Sequence, residues 1–301
     1  MGIIGLPGAG KTTIFETLTG DFSGTAGKGE KRIGMVEVPD ERMDRLVEIY
    51  RPKKVTPARV EYLLPGPAAR EGIWAQVRDC DALIHVVRNF TGSLFEDTSP
   101  GRDFQFLEDE MILSDLSAVE NKLEKLELAR KKGREIDREE LDLLEECREK
   151  LTEGMVLRRF PALAEAPVLK GFAFVSGKPL LVLVNNEDGE DVLFTPEGLT
   201  DRDSLMTVMG SLEHELAGME RGEASEFLEE YRISSPAMER VIRESYRLLG
   251  LISFFTVGPD EVRAWTIRRG TEAAKAASVI HSDIQRGFIR AETFPCEKLL
   301  E

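Results

Sequence analysis

Two hydrophobic periods take turns along this chain, and their order sets the expected architecture. Met1–Leu6, Ala82–Val87 and Pro179–Val184 are apolar runs without a polar face. Such runs suit strands covered on both sides, as in a parallel sheet. Ile33–Val38 alternates into a strand, Val60–Leu64 forms another that stops at Pro65-Gly66, and Ser204–Met209 can supply a further one. Helical periods lie between them. One runs from about Lys11 to Leu18. A second opens at Pro39-Asp40, with Met43, Leu46, Val47 and Ile49 as its apolar positions. Gly20–Lys31 is rich in Gly, Ser, Thr and Lys and reads as mobile.

From Leu107 to Arg159 the spacing changes. Ile112, Leu116, Val119, Leu123 and Leu126 step alternately by four and three, the seam of a coiled coil. Lys131-Lys132-Gly133 breaks it, and a second helix carries Leu141, Leu144, Cys147 and Leu151. Two helices joined this way predict an antiparallel hairpin; charge on both outer faces favours a projecting arm over helices lying on a globular body. A later helix opens at Ser235 and runs to Leu249, with Pro236 in its first turn. After Gly250, aromatic and β-branched residues with glycine turns predict a small strand-containing domain. The chain thus divides into an α/β domain at 1–106 and 160–249, a helical insertion at 107–159, and a last domain at 250–301.

Composition narrows the class. With 301 residues, 42% hydrophobic and 32% charged, the chain can build a core and is helix-rich. Its formal net charge of −15 argues against nonspecific wrapping of nucleic acid, which needs clustered Lys and Arg, but leaves room for a local basic face. Cys80, Cys147 and Cys296 have no metal or redox spacing and read as reduced structural thiols of a cytoplasmic protein. No run is long enough to span a membrane, and the apolar N-terminus lacks the basic flank of a signal peptide.

The chemistry enters at Gly5-Leu6-Pro7-Gly8-Ala9-Gly10-Lys11-Thr12-Thr13, a full GxxxxGK[ST] match placed after an apolar strand and opening a helix. Backbone N–H groups of such a loop form an anion nest, to which the helix adds its positive end. Gly8, Ala9, Gly10, Lys11, Thr12 and Thr13 are therefore candidate phosphate-binding residues. Lys11 is expected to reach the β- and γ-phosphates and Thr12 to ligate Mg²⁺. Asn185-Asn186-Glu187-Asp188-Gly189 follows the third apolar run, at the strand end where open α/β sheets bind ligands. Asn185, Asn186 and Glu187 are candidates for reading a purine base; a solvated turn is the equal alternative. Gly210 and Ser211, after the Ser204–Met209 strand, complete the candidate nucleotide set.

Taken together, these segments resemble the YchF/Obg-like ATPase family over nearly the whole chain. The likeness rests on Gly5-Leu6-Pro7, His85-Val86-Val87-Arg88, Leu113-Ser114-Asp115-Leu116, Asn186-Glu187-Asp188-Gly189 and Arg240-Val241-Ile242. Its most specific part is Glu261–Thr266, Lys275-Ala276-Ala277, Val279-Ile280-His281 and Gly287–Glu292. The resemblance implies a Ras-like P-loop G domain, an inserted antiparallel coiled-coil arm and a β-grasp-like TGS domain, partial here because the chain stops at Glu301. It also implies ATP hydrolysis in preference to GTP, with Mg²⁺, and a ribosome or ribosomal RNA as partner of a cytoplasmic monomer. A guanine-specific site uses Asn-Lys-x-Asp, whereas the family carries Asn-x-x-Glu. Glu187 takes the final position; ungapped, Val184 falls where the first Asn belongs, and a shift of one residue would restore Asn185 to it.

Several family parts are altered. Gly27–Arg32 offers Lys-Gly-Glu-Lys-Arg where a switch threonine is expected for the metal, and Glu61–Gly66 lacks the Asp of Asp-x-Ala-Gly. The second switch loop is short, leaving Pro67 to Gly72. The loop at Thr91–Arg102 contains none of the chain's three histidines, His85, His214 and His281. Weak or absent hydrolysis with binding retained is expected, and a nucleotide-independent scaffold is the alternative. Phe288, Ile289 and Phe294 are expected at an exposed apolar edge. Lys131, Lys132, Arg134 and Arg138 make the arm tip the most basic short run, suited to phosphates or simply solvated.

Overall fold

An apolar run with no polar face needs cover on both sides, and the two longest of these runs pair at the middle of the sheet. In the computed structural model, β5 (Leu83–Asn89) and β6 (Leu180–Asn186) are parallel, in register from Leu83 against Leu180 to Asn89 against Asn186. β1 (Gly2–Ile4) pairs with β5 on its other side, and β7 (Asp203–Val208) with β6, both in parallel. With β2 (Arg32–Glu37) and β4 (Arg59–Leu64) the order is β2-β4-β1-β5-β6-β7. β6 runs two residues beyond the expected end at Val184. Asn185 is held in the ladder opposite Arg88 and Val208.

The structure describes residues 1–22, 30–66, 72–91, 98–189, 193–219, 223 and 236–300. The Gly20–Lys31 segment, the Gly27–Arg32 and Pro67–Gly72 switch regions, the Thr91–Arg102 loop and the Ser235 cap lie wholly or partly outside them. The described chain divides into two compact units, Met1–Gly34 with Tyr62–Met238 and Met35–Glu61 with Glu239–Glu301.

In the first unit, α1 (Lys11–Thr19) follows β1. α4 (Pro100–Lys131) and α5 (Arg138–Thr152) form a helical hairpin; α2 (Glu41–Tyr50) and α3 (Gly72–Val77) precede it in the chain. Proline in its first turn starts α4, and the Asp137 carboxylate caps α5 by accepting from the N–H groups of Glu139 and Glu140. Val119, Leu123 and Leu126 share one core cluster with Leu144, Cys147 and Leu151, and a Lys122–Glu140 ion pair of 2.7 Å joins the two helices. Burial pushes the Cys147 thiol up to about 12, so it packs as a protonated group. At the hairpin base the buried Asp115 accepts from the N–H groups of Val175 (3.0 Å) and Ser176 (2.7 Å). Arg158, which precedes α6 (Pro161–Ala164), is buried between Glu108 of α4 and Asp203 of β7, with Asp203 at 2.9 Å. α7 (Gly210–Gly218) follows β7.

His85 lies within β5, fully buried and stacked on Phe104 at 5.3 Å. Desolvation, helped by the charges of Arg158 and Lys11, holds it down at about 3 against an ordinary 6.5. The folded chain refuses a proton that the unfolded chain accepts. This group's contribution to stability is therefore complete above pH 6.5 and is lost as pH falls from 6.5 towards about 3. In that window His85 alone imposes a slope of about 1.4 kcal/mol per pH unit. His85→Leu is expected to flatten it, measured by urea unfolding at a series of pH values; an unchanged slope would show that other groups set the acid limit.

In the second unit the Asp40 side chain caps α2 by accepting from the Arg42 N–H. α8 (Ala237–Leu248) leads into β8 (Leu251–Thr256) and β9 (Glu261–Arg268), an antiparallel pair. β3 (Lys54–Thr56) joins β9 in parallel, giving a mixed sheet of order β3-β9-β8. Tyr246 of α8 donates to Thr266 (3.0 Å) and shares a hydrogen bond of 2.8 Å with Ser253, tying the helix to both strands. α9 (Ala273–Ile280), α10 (Ser282–Arg286) and α11 (Cys296–Leu300) follow. An apolar groove of about 780 Å³ lies along Phe254, Ile267, Ala277, Ile280 and Phe288. Ile289 and Phe294 are 92% and 68% exposed, whereas Phe288 is half-buried in that groove. Among the described residues no helix is long and apolar enough to cross a membrane.

Candidate functional site

Between the end of β1 at Ile4 and the start of α1 at Lys11 the chain must reverse within a few residues. Gly8 (φ 77°) and Gly10 (φ 92°) supply the left-handed backbone that makes this possible. Gly10 is required twice over, because a Cβ there would lie 2.4 Å from Asn185 Nδ2. The Ala9 N–H donates to Leu6 O at 3.2 Å, and the Ile14 N–H to Gly10 O at 2.9 Å, closing the first turn of α1. That helix end directs its unpaired N–H groups and the positive end of its dipole at the loop. Lys11 folds back across it, and its ammonium donates to Leu6 O at 2.8 Å. Desolvation lowers the Lys11 pKa, the mark of a cation with too little compensation around it. Thr12 is exposed and Thr13 half-buried.

The second half of the site comes from the ends of β6 and β7. Asn185 is buried, and both ends of its amide are used. Nδ2 donates to Ala9 O at 3.1 Å, and Oδ1 accepts from the Gly210 N–H at 2.8 Å. A Cβ at Gly210 would lie 2.7 Å from Asn185 Oδ1, so a glycine lets that turn approach. One side chain thus ties the glycine-rich loop to the start of α7. The buried Asn186 accepts from Asn89 Nδ2 at 2.8 Å, a cross-strand pair set by the β5–β6 register. Glu187 accepts from Thr91 Oγ1 at 3.1 Å, and Asp188 from the Leu212 N–H at 3.3 Å. These groups border a cavity of about 350 Å³ lined by Gly10, Thr13, Asn185, Asn186, Glu187 and Ser211, with Asp188, Phe90 and Thr91 completing the wall.

All the residues singled out in the sequence, from Gly8 to Thr13, from Asn185 to Glu187, and Gly210-Ser211, therefore come together at the carboxyl ends of the parallel strands. Asp188 lay in the candidate loop but outside its base-reading set, and sequence reasoning missed Phe90 and Thr91. The available signal was the turn to polar residues after the apolar run of β5, at Arg88, Asn89 and Thr91.

The cradle fits a phosphate chain: a nest of left-handed glycines, a helix N-terminus and an undercompensated lysine. For a divalent cation the protein offers the exposed Thr12 hydroxyl, with phosphate oxygens as partners. Among the described residues the end of β4 adds no carboxylate. Leu63 and Leu64 are buried there, and the Gly66 backbone is closed by Gln76, which accepts from its N–H (3.0 Å) and donates to its carbonyl (3.2 Å). The histidines stand elsewhere: His85 in the core, His214 on α7 beside Thr17 (3.3 Å), and His281 capping α10 by accepting from the Asp283 N–H.

Comparison with known proteins gives one answer. A family model described as YchF-GTPase_C, protein of unknown function (DUF933), matches residues 251–301. The chain is 33% identical over its whole length to the ribosome-binding ATPase YchF of Pasteurella multocida, covering 89% of that protein. It is also 33% identical, over 99% of its length, to the ribosome-binding ATPase YchF of Bacillus subtilis, again covering 89%. Among solved structures it matches that of the Schizosaccharomyces pombe YchF GTPase with a TM-score of 0.78 at 29% identity, over 96% of this chain and 85% of that one. Identity at this level over the whole of this chain, with a shared fold, makes it a member of the YchF family of P-loop nucleotide-binding proteins.

Proposed function

We propose that the chain binds a purine nucleoside triphosphate, ATP or GTP, together with Mg²⁺, and hydrolyses it slowly or not at all. The observation that carries this reading is the Asn185 clamp, which ties the phosphate loop to the base cavity through Ala9 O and the Gly210 N–H. Gly8 to Thr13 would hold the phosphates. Thr12 would ligate the metal, and Asn185, Asn186, Glu187, Gly210 and Ser211 would surround the base. Bound Mg²⁺ would neutralise charge on the β- and γ-phosphates. Hydrolysis also needs a group that orients the attacking water and one that steadies the metal from the second switch. Leu63 and Leu64 occupy the strand end that would carry the latter.

In this reading 1–106 and 160–249 form a Ras-like G domain, 107–159 a coiled-coil arm and 250–301 a TGS-like domain. The relatives' names supply the partner, a ribosome. The exposed Arg130, Lys131, Lys132, Arg134 and Arg138 at the hairpin tip suit ribosomal RNA phosphates within an otherwise acidic chain. A cytoplasmic monomer fits this role. The apolar end of β4 also supports a second reading, a scaffold that contacts the ribosome whether or not nucleotide is bound.

Single-turnover hydrolysis of ATP and GTP beside the Bacillus subtilis relative tests the catalytic part. The expected rate lies about a hundredfold or more below the relative's, the scale of one lost transition-state contact. A rate equal to the relative's would sink the proposal of impaired hydrolysis.

A further inference from the structure

In the sheet β3-β9-β8 the outer edge of β8 pairs with no other described strand. The β8–β9 register fixes which groups face outward. Ile252 stands against Ile267 and Phe254 against Trp265, and at the start of the ladder the Arg269 N–H donates to Gly250 O at 2.8 Å. In an antiparallel ladder every second residue turns its N–H and C=O groups to the neighbouring strand, and the alternate ones turn theirs away. Leu251, Ser253 and Phe255 are out of step with Gly250 and therefore present their backbone groups along the free edge. Edge strands are commonly blunted by a charge, a proline or a bulge. Leu251-Ile252-Ser253-Phe254-Phe255-Thr256 contains no charge and no proline, and its register runs without a bulge. The apolar groove adjoins this strand. Phe254 of β8 and Ile267 of β9 line it with Ala276 and Ile280 of α9, and with Phe288 and Arg290 beyond α10. Its acidic member, Asp283, already has Arg286 and His281, each at 3.6 Å. Arg290 is exposed and has no ion pair among the described residues.

We propose that the β8 edge and this groove take up an extended peptide segment of a partner protein as an added strand, with apolar side chains at alternate positions and a carboxylate that meets Arg290. The proposal is independent of nucleotide binding. A helix or an acyl chain would use the groove alone and leave the edge groups of Leu251, Ser253 and Phe255 to water. An added strand uses both features at once. Its backbone continues the ladder, and its alternate side chains all fall on the face that carries Phe254. The carboxylate supplies the partner that Arg290 lacks, at the rim where such pairs set choice of partner more than affinity.

The test is fluorescence-anisotropy titration of the full chain against a labelled peptide, Val-Thr-Val-Thr-Val-Thr-Glu, and two copies N-methylated on alternate amides, at the valines or at the threonines. A strand added antiparallel to β8 uses only the threonine amides, and one added in parallel only the valine amides. One methylated copy is therefore expected to bind within about twofold of the parent peptide and the other to lose about tenfold or more. Ala276→Phe, a half-buried position on the groove wall, is expected to weaken the parent peptide by about tenfold or more. Arg290→Glu is expected to weaken it about two- to fivefold and to favour a copy ending in Lys by a similar factor, a gain that misfolding cannot produce. Absence of parent-peptide binding up to about 1 mM overturns the proposal, as do methylated copies that behave alike. Decanoate that binds and is not displaced by the peptide assigns the groove to an acyl chain and overturns it. Self-association of the chain in sedimentation that Ala276→Phe abolishes assigns the edge to a second copy and overturns it as well.

Discussion

Lys11→Ala is expected to reduce nucleoside triphosphate binding by about a hundredfold or more, the loss of one charge-assisted contact to each of two phosphates. The same change is expected to leave the melting temperature unaltered or slightly raised. Both expectations follow from the geometry of the ammonium. It is half-buried, donates to Leu6 O at 2.8 Å, and has its pKa lowered by desolvation. Such a cation contributes little to the fold and gains most from an incoming polyanion. Binding calorimetry and a thermal melt on the same variant separate the two roles. The variant also separates a nucleotide switch from a scaffold. A switch loses nucleotide-dependent ribosome association with Lys11→Ala, and a scaffold keeps its association unchanged.

The largest effect on stability is expected at Arg158. Its guanidinium is 1% exposed and lies between carboxylates that are 6% and 0% exposed, Glu108 and Asp203. Burial raises the Glu108 pKa even with Arg158 beside it. Arg158→Met would leave two buried carboxylates facing each other without a cation, at a cost of about 3–5 kcal/mol. Adding Glu108→Gln to the same chain is expected to restore part of that loss, because one of the stranded charges is gone. Urea unfolding of the single and double variants measures both numbers. A single variant within about 0.5 kcal/mol of the parent would show that the triad adds nothing net. The triad joins α4 to β7, which leads into the Gly210 turn. A loosened triad is therefore also expected to weaken the Asn185 clamp.

Much of this was legible in the sequence, for reasons that differ from element to element. The glycine-rich turn was legible because its chemistry is local: positive φ demands glycine, and Lys-Thr must follow at the helix start. β5 and β6 were legible because strands covered on both faces have no polar positions to confuse the pattern. The hairpin was legible because Val119, Leu123 and Leu126 repeat on one stripe that α5 answers with Leu144, Cys147 and Leu151. β3 was not. Lys54-Val55-Thr56 has no period to detect, and its partner β9 lies some 200 residues away in the chain. Nothing in the spacing separates Arg158 from Arg159; only the tertiary fold shows that the first is buried while the second is exposed, donating to Gly198 O. The register of the base loop fell between these cases. Sequence spacing alone left Val184 and Asn185 as competing anchors; in the folded chain Val184 is buried in β6, and Asn185 bonds to Ala9 O and the Gly210 N–H.

Calorimetric titration of the purified chain with Mg²⁺-ATP and Mg²⁺-GTP, repeated with Lys11→Ala, asks whether the glycine-rich loop holds a nucleotide. Saturable binding of one nucleotide per chain that disappears in the variant is expected. Absence of binding to either nucleotide, or binding that Lys11→Ala leaves intact, would contradict it.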